Sequence, residues 1–209
     1  MTEVKTASEQ TRARLLDAAR EVFAEYGFQG ATVREICRRA EANVAAVNYH
    51  FGSKDGLLVE ALNFTRLKAL QTANAKANKC PSVRLRLFIH DFMLTLLGET
   101  NASEQCQIMA RELADPTPVL DKIVREAIAP LHEFLGNLVR EIVDEKIGEA
   151  ELLRCVHSII GQCSFYYHSR PVLQRLHPEL RYSHKEIEAI AQHIADFSLN
   201  GLNHYGKKT

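Results

Sequence analysis

The side chains best suited to holding a polyanion lie between Ala31 and Leu57, in the stretch ATVREICRRAEANVAAVNYHFGSKDGL. Thr32 brings a hydroxyl to the start of an expected helix, where free backbone N–H groups and positive potential suit a phosphate oxygen; the same hydroxyl also serves as an ordinary N-cap. From Ala31 to Lys54 the cations Arg34, Arg38, Arg39 and Lys54 outnumber Glu35 and Glu41, a surplus of two, whereas over the whole chain 26 Lys and Arg balance 26 Asp and Glu. A nucleic-acid binder with no net charge needs its positive charge to be local, and here it is. Tyr49 and His50 carry polar tips on aromatic bodies, and Asn48 has an amide that can bond an adenine edge or a phosphate, or simply sit in solvent.

Elsewhere the chemistry-bearing residues point to nothing comparable. Cys155, His157, Cys163 and His168 share one expected helix, but convergent ligands on a helix need i, i+3 or i+4 spacing, which this set does not offer; Cys155, Ile159 and Cys163 read instead as a core stripe. No metal and no cofactor is expected. Nucleophile elbow, P-loop, dinucleotide fingerprint and HExxH motifs are all absent from the sequence, which argues against an enzyme. Five cysteines without a CxxC pair suit reduced thiols. A redox-responsive or adaptor protein that does not bind DNA, acting through Cys106 or Cys163, stands as the alternative reading.

The elements that must position these residues follow from periodicity. Thr32 and Glu35 form the pattern of a capping box, so a helix starts there, and Val33, Ile36, Cys37 and Ala40 fall on one apolar stripe. It ends near Glu41. Asn43 caps a second, very short helix through His50, too short to stand alone and held by packing. A helix from about Ser8 to Tyr26 presents Leu15, Ala19, Val22, Phe23 and Tyr26 on one face and stops at Gly27. Ser53 opens a fourth helix whose face runs through Leu58, Ala61, Leu62, Thr65 and Ala69 and which ends before Cys80-Pro81. No alternating strand pattern appears, so the fold class is all-α. With 46% apolar and 25% charged residues over 209 positions the composition is that of an ordinary globular protein. Neither a membrane-spanning run nor a signal-peptide pattern is present, so a cytoplasmic protein is expected.

A capping-box helix, a short helix ending in NYHFGSK at Asn48 to Lys54, and a long amphipathic helix, in that order, resemble the DNA-binding head of the TetR family of transcriptional regulators over residues 8–68, with the helix-turn-helix at 31–50. The resemblance implies that the short helix enters the major groove. By family position Val44, Ala45 and Ala46 face the bases, while Tyr49, His50 and Lys54 touch phosphates. Spacing and resemblance disagree at Val44: Val44, Val47 and Phe51 at i, i+3 and i+7 would turn it inward, and the resemblance turns it outward, which is followed here. The candidate DNA-binding set is Thr32, Arg34, Asn43, Val44, Ala45, Ala46, Asn48, Tyr49, His50 and Lys54. Where the family usually has Gly in the turn this chain has Glu41, where it has Gly on the short helix this chain has Ala45, and the frequent Leu-Tyr pair is Val47-Asn48. These departures bear on the base sequence read more than on the fold.

Beyond Pro81 the helices lengthen: about Ser82 to Leu97, Ser103 to Ala114, Pro118 to Lys146 with a kink at Pro130, Glu149 to Ser169, and His184 to His204, with Pro171 to Ser183 as a connector. The resemblance implies that residues 81–205 form a domain for dimerisation and effector binding. Apolar faces too broad for one pair of helices predict an isologous four-helix interface through Leu152, Val156, Ile159, Ile160, Ile187, Ile190, Ala191, Ile194, Phe197 and Gly201. Phe88, Phe92, Met93, Met109, Phe134 and Tyr166 are the candidate lining of a pocket for a small apolar effector, and would serve equally well as a closed core. The expected partners are thus an operator duplex, a second copy of the chain and an unidentified small molecule, in a repressor that reads a pseudo-palindrome.

Overall fold

The computed structural model describes residues 6–62, 72, 79–98, 102–144 and 146–206, and no strand occurs among them. In chain order the helices are α1 (Ala7–Gly30), α2 (Val33–Arg39), α3 (Val44–Phe51), α4 (Lys54–Ala61), α5 (Pro81–Leu97), α6 (Ala102–Ala114), α7 (Val119–Ile123), a π-turn (Val124–Ile128), α8 (Ala129–Ile142), α9 (Glu149–His168), α10 (Arg170–Leu176) and α11 (His184–Asn203). The all-α expectation holds. Thr65, Ala69 and the Cys106 side chain, which figured in the sequence reading, lie outside the described residues.

By packing the chain divides into two units, Met1–Phe64 with Ser103–Arg125, and Thr65–Ala102 with Glu126–Thr209. The segment from Ser103 to Arg125 therefore packs with the head: Ile108, Val119 and Ile123 join Leu15, Val22, Phe23, Ile36, Val47 and Leu58 in one apolar core. The expected boundary at residue 81 marks a change in the character of the sequence, and the packing units cut the chain elsewhere.

In the first unit α1 is opened by Thr6, whose hydroxyl accepts from the Glu9 amide while the Glu9 carboxylate takes the Thr6 amide. Gly27 breaks it with φ 68° and ψ 177°, a conformation open almost only to glycine. Tyr26, expected inward, lies half-exposed because the break follows at once, and its ring carries the Arg39 guanidinium 5.9 Å from its centroid. Short helices α2, α3 and α4 pack against α1 and each has a side-chain cap: Thr32, Asn43 and Ser53 accept from the amides of Glu35, Ala45 and Gly56. Thr32 and Glu35 make only half of a capping box, since the Glu35 carboxylate turns to Arg38 and Arg39 instead of the cap amide. A side chain at Gly56 would put its Cβ 2.1 Å from the Phe51 carbonyl oxygen, so the tight passage from α3 into α4 needs glycine there.

The second unit buries Leu85, Phe88, Ile89 and Met93 of α5, Leu135 and Leu138 of α8, Val156 and Cys163 of α9, and Ile187 and Ile194 of α11 in one core. Ion pairs bind α5 to its neighbours, Arg84 to Glu141 at 2.7 Å and Arg86 to Asp196 at 2.6 Å. The single helix expected from Pro118 to Lys146 is broken by the π-turn just ahead of Pro130 and ends at Ile142. Pro130 has no N–H for the Glu126 carbonyl, and widening the ladder by one residue relieves the missing bond. The connector from Pro171 to Ser183 is not irregular throughout: Pro171 starts α10 in its first turn. Tyr182 then returns the chain with φ 55° and its ring buried in the core, the Arg170 guanidinium 4.8 Å from the ring centroid.

Candidate nucleic-acid interface

Recognition by an α-helix needs one face locked to the protein and the other open. Val47 and Phe51 of α3 are buried in the first core, while Asn43, Val44, Ala45, Asn48 and Tyr49 are exposed, with Val44 at 45% and Tyr49 at 80%. The conflict over Val44 is thus settled outward: an eight-residue helix has room for one buried pair, and Val47 with Phe51 takes it. Ala46 and His50 are half-buried along the edge of that face. Tyr49 stands out in solvent, with its ring edge-on to that of His50 at 4.8 Å.

Each cap limits what its side chain can still do. Thr32 is exposed, with its hydroxyl accepting from Glu35 N at 3.2 Å and its proton free to be donated. The Asn43 Oδ1 accepts from Ala45 N at 2.9 Å, which leaves its amide nitrogen for an outside partner.

Charge around α2 is less available than the sequence count suggested. Arg39 donates to Glu35 at 2.9 Å and to Glu25 at 2.7 Å, with Glu21 at 3.6 Å, and Arg38 grips Glu35 through two hydrogen bonds of 2.8 and 2.7 Å. Hydrogen bonding to Arg38, then to Arg39, holds the Glu35 carboxyl down at about 2. Arg34 is exposed and clear of these pairs. Lys54 is neither solvated nor wholly free: its ammonium donates to the Phe28 carbonyl and lies 4.3 Å from the Phe28 ring centroid, and burial lowers its pKa. It ties the start of α4 to the turn that follows Gly27.

Three arginines of α1 that the sequence reading passed over hold the short helices in place. Arg14 Nε donates to the Ala40 carbonyl at the end of α2 at 3.0 Å, and Arg20 Nε to the Ala61 carbonyl at the end of α4 at 3.2 Å. A cation at a helix C-terminus is favoured by the negative end of the helix dipole. Arg12 pairs with Glu60 of α4 and sets its guanidinium 5.3 Å from the centroid of the Phe51 ring. No local pattern announces these partners, which lie 26, 41 and 48 residues away.

The other expected sites fare unevenly. Phe88 and Phe92 stack at 5.6 Å and Phe88 meets Phe134 at 5.7 Å, with Met93 buried beside them in the second core. Met109 packs against the first unit's core instead, because α6 packs with the head. Of the ten residues expected between subunits, Leu152, Val156, Ile159, Ile187, Ala191 and Ile194 are buried in the subunit's own core. The stripe that is most apolar is the one α9 and α11 turn inward. Ile160 and Ile190 are half-buried, Gly201 is exposed and Phe197 is 63% exposed. An open groove of about 340 Å³ runs along these two helices, lined by Gly161, Gln162, Phe165, Tyr166, His193 and Ile194. Cys163 is buried, and burial pushes its thiol up to about 12, which ill suits a redox sensor. Among the described residues no set of three or more ligating side chains is disposed to hold a metal, and no helix is long and apolar enough to cross a membrane.

Residues 15–61 match the model of the bacterial regulatory proteins of the TetR family, and residues 81–202 match the C-terminal domain of the HTH-type transcriptional dual regulator CecR. The CecR protein of Shigella flexneri is 27% identical over 169 residues, covering 74% of either chain. In fold the chain is similar to a transcriptional regulator of Rhodococcus sp. Rha1, with a TM-score of 0.62 at 24% identity over 94% of this chain and 97% of that one. It is similar also to the FadR regulator of Bacillus subtilis, solved in complex with stearoyl-CoA, with a TM-score of 0.68 at 17% identity over 90% of this chain and 98% of that one.

Proposed function

The chain belongs to the TetR family of transcriptional regulators, DNA-binding proteins without enzymatic activity, and from that premise we propose that it works as a homodimeric, ligand-responsive repressor of a pseudo-palindromic operator. One observation carries the reading: α3 keeps Val47 and Phe51 inside and turns Val44, Ala45, Asn48 and Tyr49 out together. In the major groove Val44, Ala45 and Ala46 supply apolar contact to thymine methyls and Asn48 an amide for a base edge. Thr32, Arg34, Asn43, Tyr49, His50 and Lys54 hold phosphates on either side, Lys54 exchanging the Phe28 carbonyl for a phosphate oxygen. The protein acts where the chromosome is, in the cytoplasm.

The second copy meets the outer faces of α9 and α11, where Phe165, on the groove, and Phe197 are exposed. That patch carries protruding rings and a hollow together, as a self-complementary two-fold interface requires. Two heads fixed in this way would address half-sites roughly 34–36 Å apart or a multiple of that. An apolar effector enters the second unit among Phe88, Phe92, Met93, Phe134 and Tyr166, and it releases DNA only to the extent that it prefers the dimer geometry that does not fit the operator.

Selection of bound duplexes from a random pool, followed by footprinting, tests the reading; two inverted half-sites are expected. Lys54→Ala should weaken binding to every sequence and flatten the plot of log affinity against log salt by about one unit, the loss of one neutralised phosphate. A pool that yields no enriched sequence would overturn the operator reading, and an unchanged salt slope would remove Lys54 from the phosphate contacts.

A further inference from the structure

We infer that Arg12 is a positioning residue for base readout: without touching DNA, it fixes the rotation of α3 about its own axis. The inference rests on the reading of α3 as the recognition helix. α3 has eight residues and two buried side chains, so helix propensity alone does not hold it and its orientation depends on what grips its ends. Asn43 caps the first end through a bond within the helix itself, which leaves its rotation free. At the other end Phe51 is the last residue, and the Arg12 guanidinium lies 5.3 Å from its ring centroid. The same guanidinium pairs through Nη2 with the Glu60 carboxylate on α4. A planar guanidinium can give its face to a ring and its edge to a carboxylate at the same time. Arg12 thereby joins α1, α3 and α4 at one point, and turning α3 about its axis would pull Phe51 from under it. Val44, Asn48 and Tyr49 point to the bases only in the orientation so fixed.

The test uses the full chain and compares a selected operator with a random duplex of equal length over a range of salt, with thermal melting alongside. Arg12→Ala is expected to lower operator affinity about tenfold, the combined scale of a cation–π contact and a partly exposed ion pair, while random-duplex affinity and salt slope stay as they were. Arg12→Lys keeps the charge but cannot stack and pair at once, so its loss is intermediate. Glu60→Gln removes the pairing charge, keeps the shape and lowers the operator-to-random ratio in the same direction. Equal weakening toward both duplexes with a slope flatter by about one would make Arg12 a phosphate contact and overturn the inference. A lowered melting temperature with an unchanged ratio would overturn it too, leaving Arg12 only structural. Failure of the wild type to prefer any operator would instead bring down the recognition-helix reading itself.

Discussion

Helices of the head and helices of the second unit are held by different forces. In the head α2, α3 and α4 run seven or eight residues, and each begins with a side chain bonded to its own first turn. Arginines reach from α1 to these helices, Arg14 and Arg20 to the carbonyls that end α2 and α4 and Arg12 to Glu60 and Phe51. In the second unit α5, α8 and α9 run 17, 14 and 20 residues and begin without any side-chain cap bond, while α11, also 20 residues long, opens on a capping box of Ser183 and Glu186. Broad apolar faces hold them in the core, with ion pairs such as Arg84–Glu141 at the rim. A short helix offers little area to bury, so polar bonds at its ends help to fix it, and on α3 the outer face is left open. A long helix has area on two faces, and one of them can be left over for another molecule.

That contrast is most sharply tested inside α11. Ile194, 1% exposed, and Phe197, 63% exposed, are three residues apart and roughly 60° from each other round the helix, so the edge between its buried and exposed faces runs between them. Ile194→Asp should destabilise the subunit by about 4 kcal/mol by burying a charge without a partner, and Phe197→Asp should leave the fold intact and yield monomers. Denaturant melts and sedimentation separate the two; two variants with the same behaviour would dissolve the distinction between inner and outer face. Testing both residues together would hide it.

The glycines repeat the contrast at smaller scale. A methyl at Gly56 meets the Phe51 carbonyl oxygen at 2.1 Å, whereas at Gly161 nothing lies within 4 Å. Gly56→Ala should cost about 2 kcal/mol and abolish operator binding by displacing α3 from α4. Gly161→Ala should stabilise the isolated subunit by up to about 1 kcal/mol through helix propensity while weakening a dimer seated on the groove. A destabilised Gly161→Ala subunit would show that the groove is part of its own packing.

Two smaller effects concern the turn and the charges of the head. Glu41, between α2 and α3, has φ 49°, a left-handed conformation that costs a residue with a side chain. Glu41→Gly should raise stability by about 0.5–1 kcal/mol in a thermal melt; a loss would mean that the carboxylate is held by something outside the turn. Glu35 is held down at about 2 from an ordinary 4.5, chiefly by Arg38. Because its folded pKa is depressed, its contribution is present above about 4.5 and is lost as the pH falls toward 2. Glu35→Gln should therefore flatten the acid limb of stability in that window, and modestly, since the group is partly open to solvent; identical acid limbs would mean that the pairs contribute nothing.

Much of the head was legible because its signals are local. Thr32, Asn43 and Ser53 stand next to the helices they cap, and Ile36, Cys37, Val47 and Phe51 lie at spacings that leave them one face to bury. Val44 was the exception, since the spacing that turned it inward was sound and only the limited room beneath an eight-residue helix decided against it. In the second unit the positions of α5, α9 and α11 were legible to within a residue or two, but their facing was not. Leu152, Val156, Ile159, Ile187 and Ile194 were assigned to a subunit interface and lie in the core, because an apolar stripe does not say whose apolar surface it will meet.

The sequence by itself determined where the short helices of this protein start, that the chain is helical, and that Val47 and Phe51 share one face of α3, because caps and periodicity are properties of neighbours along the chain. Tertiary structure decided that α6 packs with the head, that Met109 lies in a different core from Phe88, and that Arg12 meets both Phe51 and Glu60. It decided also which side of α9 and α11 is spent inside the subunit. These depend on what faces what across tens of residues of chain, and a buried face and an interface face are made of the same side chains.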